Sequence, residues 1–231
     1  MPSAIRAYVF DAYGTLFDVA APVSDCAGSL GADAPRLAAT WRERQLQYTW
    51  LRSLQGRFAD FAQVTADALD HAMAALGRTD PDLRACLLDA YRTPRAHPEV
   101  HVTIAALRAR GMRTAILSNG TADWLHSAIC SAGLDGMFEA VLSADIVRVY
   151  KPHPAVYALA EDALQVAARE ISFQSSNGWD AWSASAYGMR AVWCNRGGNA
   201  PEFLPEPPEH TISTLDELLR LPPFPVESTN P

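Results

Sequence analysis

No stretch of this chain is apolar for long enough to cross a bilayer. No block of lysine and arginine marks a nucleic-acid-binding face. Cysteine is scarce: Cys26, Cys86, Cys130 and Cys194 stand far apart, without the paired spacing of a zinc site or a redox motif. They read as reduced thiols in a cytoplasmic protein. The chain enters a strand-like apolar run within a few residues of its start, which leaves no room for a signal peptide. Internal repeats are lacking, and the six histidines show no ligand spacing. A formal net charge of -7 argues further against nucleic acid as a partner. What is present is a globular composition, with 49% hydrophobic and 19% charged residues over 231 positions. That suits one domain, or one domain carrying an insertion.

The chain is organised around Val9-Phe10-Asp11-Ala12-Tyr13-Gly14-Thr15-Leu16-Phe17. Tyr8, Val9 and Phe10 read as the end of a buried strand, and Asp11 follows at its carboxyl end before a turn at Gly14-Thr15. A carboxylate there is costly unless paired or used, and that edge of an open parallel sheet is where ligands sit. Taken alone, the same pattern is also an Asx turn.

Residues 18–94 hold no convincing strand. Within them, 34–54 carries Leu37, Trp41, Tyr48, Leu51 and Leu54 at helical spacing and stops at Gly56. A second helix is expected over 64–76, started by Thr65-Ala66-Asp67 and stopped by Gly77, and a third over 81–91. After His97-Pro98 the pattern changes. Strands over 113–117, 140–143, 171–175 and 190–194 alternate with helices over 100–110, 121–132, 154–164 and 180–187. Alternation of this kind predicts parallel βαβ units. The expected fold is α/β: a Rossmann-like parallel-sheet core (1–17 and 98–231) with an inserted all-helical domain (18–97). Residues 215–221 read as a closing helix capped by Thr214 or Ser213, and 221–231 as a frayed end.

Four polar clusters fall at the carboxyl ends of predicted strands or in the loops after them: Asp11, Ser118-Asn119, Lys151, and Ser175-Ser176-Asn177 with Asp180. Such loops converge in space. In this order they resemble the signature of the haloacid dehalogenase superfamily: a nucleophilic Asp, a Ser or Thr, a Lys, then an acidic loop. Within it the chain is similar to the L-2-haloacid dehalogenases (type II). The likeness runs through Phe10 to Val19, Trp41-Arg42 with Gln45-Leu46, Tyr48 to Leu51, Gly56-Arg57-Phe58 with Asp60-Phe61, Ile116 to Gly120, Lys151-Pro152 with Pro154 and Tyr157, Ser175-Ser176-Asn177 with Trp179-Asp180, and Trp193, Asn195-Arg196 and Gly198-Asn199.

Tyr13 discriminates within the superfamily. Phosphatases resembling this chain carry a second Asp there, as the acid that protonates a leaving alkoxide. Halide leaves without a proton, so an aromatic suffices. Tyr13 also disfavours magnesium, which wants oxygen ligands and a phosphate to bridge; no metal and no cofactor are expected. Lys151 instead keeps Asp11 ionised.

The resemblance implies a two-step mechanism. Asp11 attacks C2 from the face opposite the halogen, forming an ester, and water then attacks the ester carbonyl. It further implies that Ser118 and the backbone amides of Ala12 and Tyr13 bind the substrate carboxylate, while Arg42, Asn119 and Trp179 receive the halide. A weakly hydrated, permanently charged guanidinium suits a large anion. Thr15 orients Asp11. Asp180 activates water, positioned by Lys151 and Asn177 and supported by Tyr157 and Ser175. Tyr13, Gln45, Leu46, Phe61 and Trp179 wall the pocket. The expected partners are a small 2-haloacid and halide ion, with a homodimer joined through the helical insertion.

Gln174, His153, Ser183 and Ser185 depart from the family's usual residues, without removing a required chemical group. The alternatives at this stage are a metal-dependent phosphatase of the same fold and a non-catalytic binding protein.

Overall fold

The structure is a computed structural model describing residues 4–26, 28 and 30–222. Its centre is a six-stranded, all-parallel sheet in the order β3-β2-β1-β4-β5-β6. The strands are β1 (Ala7–Phe10), β2 (Arg113–Ser118), β3 (Ala140–Ser143), β4 (Ile171–Ser175), β5 (Arg190–Cys194) and β6 (His210–Ile212). All four residues of β1 and all five of β4 are buried. Strands covered on both faces by crossover helices read as continuous apolar runs for this reason. The covering helices are α5 (Val100–Ala109), α6 (Ala122–Ser131), α7 (Pro154–Leu164) and α8 (Gly178–Tyr187). Because the chain runs from β1 outward to β2 and β3, then returns to β4 on the other side, the carboxyl end of β1 lies at the switch in strand order. The crevice forms there.

Four helices interrupt the chain between β1 and α5: α1 (Ala21–Asp25), α2 (Ala34–Gln55), α3 (Phe61–Ala75) and α4 (Pro81–Arg92). The two strands of chain leading into and out of this helical block run side by side. Asp18 N donates to Arg95 O over 2.8 Å and His97 N to Leu16 O over 2.9 Å. Within the block, α2 packs on α3, and the Trp41 indole N–H donates to the Thr65 carbonyl over 2.9 Å. Among the described residues no helix is long and apolar enough to cross a membrane.

Most elements fall where the hydrophobic pattern puts them, and the differences have local causes. Helix α3 begins at Phe61 because Asp60 accepts from Gln63 N over 2.8 Å; Thr65 is a buried mid-helix residue, not part of the start. Strand β6, short and flanked by a Pro/Glu loop, has no periodicity to announce it. The closing segment is a 3-10 helix, Leu215–Arg220, whose entry is held by the Glu217 carboxylate accepting from Ser213 N and Thr214 N at 2.9 and 3.2 Å. The frayed end expected after it falls mostly on 223–231, outside the described residues. Gln174 is buried in β4, with Nε2 donating to Ser172 Oγ over 2.6 Å. His153 caps α7 by accepting from Ala155 N over 3.2 Å.

One expectation is overturned. Cys26 and Cys86 are joined in a disulfide across 60 residues, while Cys130 and Cys194 are free. The pairing is invisible in the spacing because it depends on α1 packing against α4. It leaves two of the four thiols on which the cytoplasmic expectation rested, Cys130 and Cys194. Closing a loop of this size constrains the unfolded chain, an effect worth about 4 kcal/mol in the chain-entropy model. In denaturant without reductant, two thiols per chain should titrate, rising to four after reduction. Four before reduction would remove the crosslink. Reduction of the folded protein should lower its urea midpoint.

Candidate active site

The turn after β1 is built to present Asp11. Its Ala12 carbonyl accepts from the amides of Thr15, Leu16 and Phe17 at 3.2, 2.9 and 3.0 Å, and Gly14 N donates to Phe17 O over 2.7 Å. Gly14 sits at φ +92° with Ser176 Oγ 3.3 Å from where a Cβ would stand, a backbone state that glycine adopts without penalty. The Ala12 and Tyr13 amides find no acceptor among the described residues. At the end of β2 a Cβ on Gly120 would lie 2.6 Å from the Tyr13 ring, so only glycine lets Tyr13 occupy its place.

Both oxygens of Asp11 are engaged. Oδ1 accepts from Lys151 Nζ over 3.1 Å; Oδ2 accepts from Thr15 Oγ1 over 3.1 Å and from Asn177 Nδ2 over 2.9 Å. Lys151 Nζ also donates to Asp180 Oδ2 over 2.9 Å and lies 4.8 Å from the Phe173 ring centre. Tyr157 donates to Asp180 Oδ1 over 2.7 Å. Lys151 is 1% exposed and Asp180 fully buried. Burial pushes the Lys151 ammonium down, but the Asp11 and Asp180 carboxylates outweigh it and hold its pKa above the usual lysine value. Burial pushes the Asp180 carboxyl up against the opposing pull of Lys151.

Thr15 is itself held from behind. Ser176 N donates to its Oγ1 over 2.8 Å, and Arg196 donates to its carbonyl over 2.8 Å while pairing with Glu99. From the helical block, Arg42 reaches across to the core. Its Nη2 donates to Asn177 Oδ1 over 2.9 Å and its Nη1 to Gln45 Oε1 over 2.7 Å. Asn177 therefore connects the guanidinium to the Asp11 carboxylate.

Asp11, Tyr13, Arg42, Leu46, Phe61, Ser118, Asn119, Lys151, Asn177 and Trp179 enclose a cavity of about 20 Å³, room for one or two waters. Ser118 Oγ accepts from Gly120 N over 3.0 Å and Asn119 Oδ1 from Lys151 N over 3.0 Å. The Ser118 hydroxyl proton and the Asn119 amide protons have no acceptor among the described residues. The Trp179 indole N–H is buried without a partner among the described residues, as is the Tyr13 hydroxyl. Burial pushes the Tyr13 hydroxyl well above its ordinary pKa. Thr15, Tyr157, Ser175 and Asp180 stand one layer back; Ser175 Oγ accepts from Asn177 N over 3.2 Å. Ala12 is fully buried behind the wall. Gln45, expected on the wall, is behind Arg42 instead, because both ends of its amide are bonded into the helical block. Tyr91, which stacks on Tyr13 at 5.2 Å and 16°, went unread, since a buried helix aromatic looks the same whether or not it backs a site.

The model of the haloacid dehalogenase-like hydrolases matches residues 5–188. The chain is 44% identical to (S)-2-haloacid dehalogenase 1 of Pseudomonas sp. (strain CBS-3), over 94% of this chain and 96% of that protein. It is 38% identical to haloacetate dehalogenase H-2 of Moraxella sp. (strain B), over 94% and 97%. The L-2-haloacid dehalogenase of Xanthobacter autotrophicus, solved with chloropropionic acid covalently bound, superposes with a TM-score of 0.86 at 36% identity, over 94% and 98% of the two chains. With its site geometry, sheet order and relatives in accord, the chain belongs to the haloacid dehalogenase-like hydrolase family.

Proposed function

We propose that the protein hydrolyses short L-2-haloalkanoates, and haloacetates, to D-2-hydroxyalkanoates, or hydroxyacetate, and halide. The observation that carries the reading is that the Asp11 carboxylate and the Arg42 guanidinium face one small cavity from opposite domains. The helical block, 18–97, is read as the cap and 1–17 with 98–231 as the core. An Asp11 oxygen forms a bond to C2 while the carbon–halogen bond breaks, and the halide departs with the electron pair. Oδ1 accepts a single hydrogen bond and Oδ2 two, so Oδ1 is the less encumbered nucleophile. Arg42, Asn119 and Trp179 receive the halide with hydrogen-bond donors. Ser118, with the Ala12 and Tyr13 amides, takes the substrate carboxylate.

Water then attacks the Asp11 ester carbonyl, its proton passing toward Asp180; the ester C–O bond on the Asp11 side breaks with its electron pair going to the alcohol oxygen, which takes up that proton, and the Asp11 carboxylate is restored. C2 is inverted once, and the alcohol oxygen comes from Asp11. Tyr13 gives no acid for an alkoxide leaving group, given how strongly burial holds its proton, so phosphate ester cleavage is disfavoured. The relatives' names, and the covalently bound chloropropionic acid in one of them, support the same chemistry. Leu51 and Leu54, 49% and 86% exposed on α2, support a homodimer joined through the cap. The cavity, about 20 Å³, is too small for a haloacid as it stands, so loading requires its walls to move apart.

Asp11→Asn should fold normally and release no halide from L-2-chloropropionate. In heavy-oxygen water, a single turnover by the wild type should give unlabelled product; labelled product would mean direct attack by water at C2. A second prediction concerns pH. Asp180 must be ionised to accept a proton, and burial raises its pKa, so kcat should fall on acidification at a pH above the ordinary aspartate value of about 3.9. The Tyr157 hydrogen bond opposes that rise. Tyr157→Phe should therefore move the acid limb to higher pH, and a limb unmoved would remove Asp180 from the role of base.

A further inference from the structure

Gln45 is the middle of a hydrogen-bond chain that crosses three helices behind the cavity. Arg42 Nη1 donates to Gln45 Oε1 over 2.7 Å, and the Tyr91 hydroxyl donates to the same oxygen over 3.1 Å. Gln45 Nε2 donates to Thr65 Oγ1 over 2.7 Å, and Thr65 Oγ1 donates to the Phe61 carbonyl over 2.6 Å. Gln45, Thr65 and Tyr91 are 1%, 0% and 3% exposed. Buried polar groups of this kind are costly when unpaired, and here each is satisfied by the next. None of the three lines the cavity, so any influence they have on it runs through the residues that do.

The chain has a direction. Thr65 has one hydroxyl proton, committed to the carbonyl one turn back on α3, so toward Gln45 its oxygen only accepts. Gln45 must then turn its NH2 to Thr65 and its carbonyl to Arg42 and Tyr91, which fills both carbonyl lone pairs. The opposite amide orientation would set N–H groups against the guanidinium. Tyr91 remains a donor, because burial holds its hydroxyl pKa above the ordinary value. Arg42 and Gln45, three apart on α2, share a face of that helix. An exposed pair at this spacing is weak. With the amide locked from α3 and α4, the guanidinium gains a fixed anchor on one side while Asn177 holds the other.

We propose that Thr65, Gln45 and Tyr91 are positioning residues that hold Arg42 over the cavity and thereby set its affinity for the departing halide. The proposal rests on the dehalogenase reading above. It assigns the three residues no contact with substrate; they act through where the guanidinium stands when the carbon–halogen bond lengthens.

The full chain carrying Thr65→Val, Thr65→Ser or Tyr91→Phe tests it. Three measurements decide: chloride binding from the chloride NMR line width, steady-state kinetics (kcat and KM) with L-2-chloropropionate, and the thermal midpoint, which shows whether each variant is folded. Loss of a hydrogen bond that orients a charged group corresponds to about tenfold. Thr65→Val and Tyr91→Phe should each weaken chloride binding and lower kcat by about that factor, and Thr65→Ser, which keeps the hydroxyl, should restore both. Wild-type chloride affinity and kcat in folded Thr65→Val and Tyr91→Phe would overturn the proposal, as would Thr65→Ser as impaired as Thr65→Val. If Thr65→Val does not fold, Tyr91→Phe decides alone. A wild type that binds chloride but releases no halide sinks the dehalogenase reading, and the proposal is then judged on chloride affinity. A wild type that releases halide but binds no chloride sinks the proposal and leaves the dehalogenase reading standing.

Discussion

Two carboxylates cannot both stay ionised in a dry site unless a cation stands between them. Asp11 and Asp180 do so because Lys151 places one ammonium within 3.1 Å of the first and 2.9 Å of the second. Removing one member of such a group leaves a buried charge without a counter-ion, which costs about 3–5 kcal/mol. The surrounding fold can be understood as what this triad requires. Strands β1 and β4 deliver Asp11 and the loop to Asp180 at adjacent edges of the sheet. Thr15 and Asn177 hold Asp11 Oδ2, and Tyr157 holds Asp180 Oδ1. The aromatic faces of Phe173 and Tyr157 keep solvent out.

Much of this could be read in the residues beforehand, and for a physical reason. Parallel strands buried on both faces are near-continuous apolar runs, so β1, β2 and β5 declare themselves, while β4, with Ser172 and Gln174 buried in it, shows itself by its place in the strand–helix alternation. The carboxyl ends of those strands converge by topology, so Asp11, Ser118, Asn177 and Asp180 could be gathered into one site without coordinates. Tyr13, in place of a second carboxylate, carried the reaction class. Each unread feature depends on packing between elements far apart in the chain. Cys26 meets Cys86 only when α1 lies on α4. Thr65 looks like a helix start until Asp60 is seen to take that task. Gln45 looks like a pocket wall until Thr65 and Tyr91 are seen to hold its amide from behind. Side-chain periodicity reports which face of a helix is buried, and it is silent on what a buried amide bonds to.

The site is also the seam between the helical block and the sheet. Arg42 to Asn177 is a direct bond across that seam, and Asn177 passes it on to Asp11. The chain crosses the same seam twice, at Asp18 beside Arg95 and at Leu16 beside His97. A closed cavity thus strengthens every charge interaction inside by excluding water, while the paired crossings confine the motion that opening requires to a short, hydrogen-bonded ribbon.

Lys151 has one more property. The chain has 19 arginine and lysine residues, and Lys151 is its one lysine. All the other cationic side chains of this class are guanidinium groups, so the outer surface offers no lysine amine to acylating, biotinylating or imine-forming reagents. A reagent of that kind meets a lysine only by reaching the sealed interior. Its rate of capture would then be a clock for how often the protein breathes open.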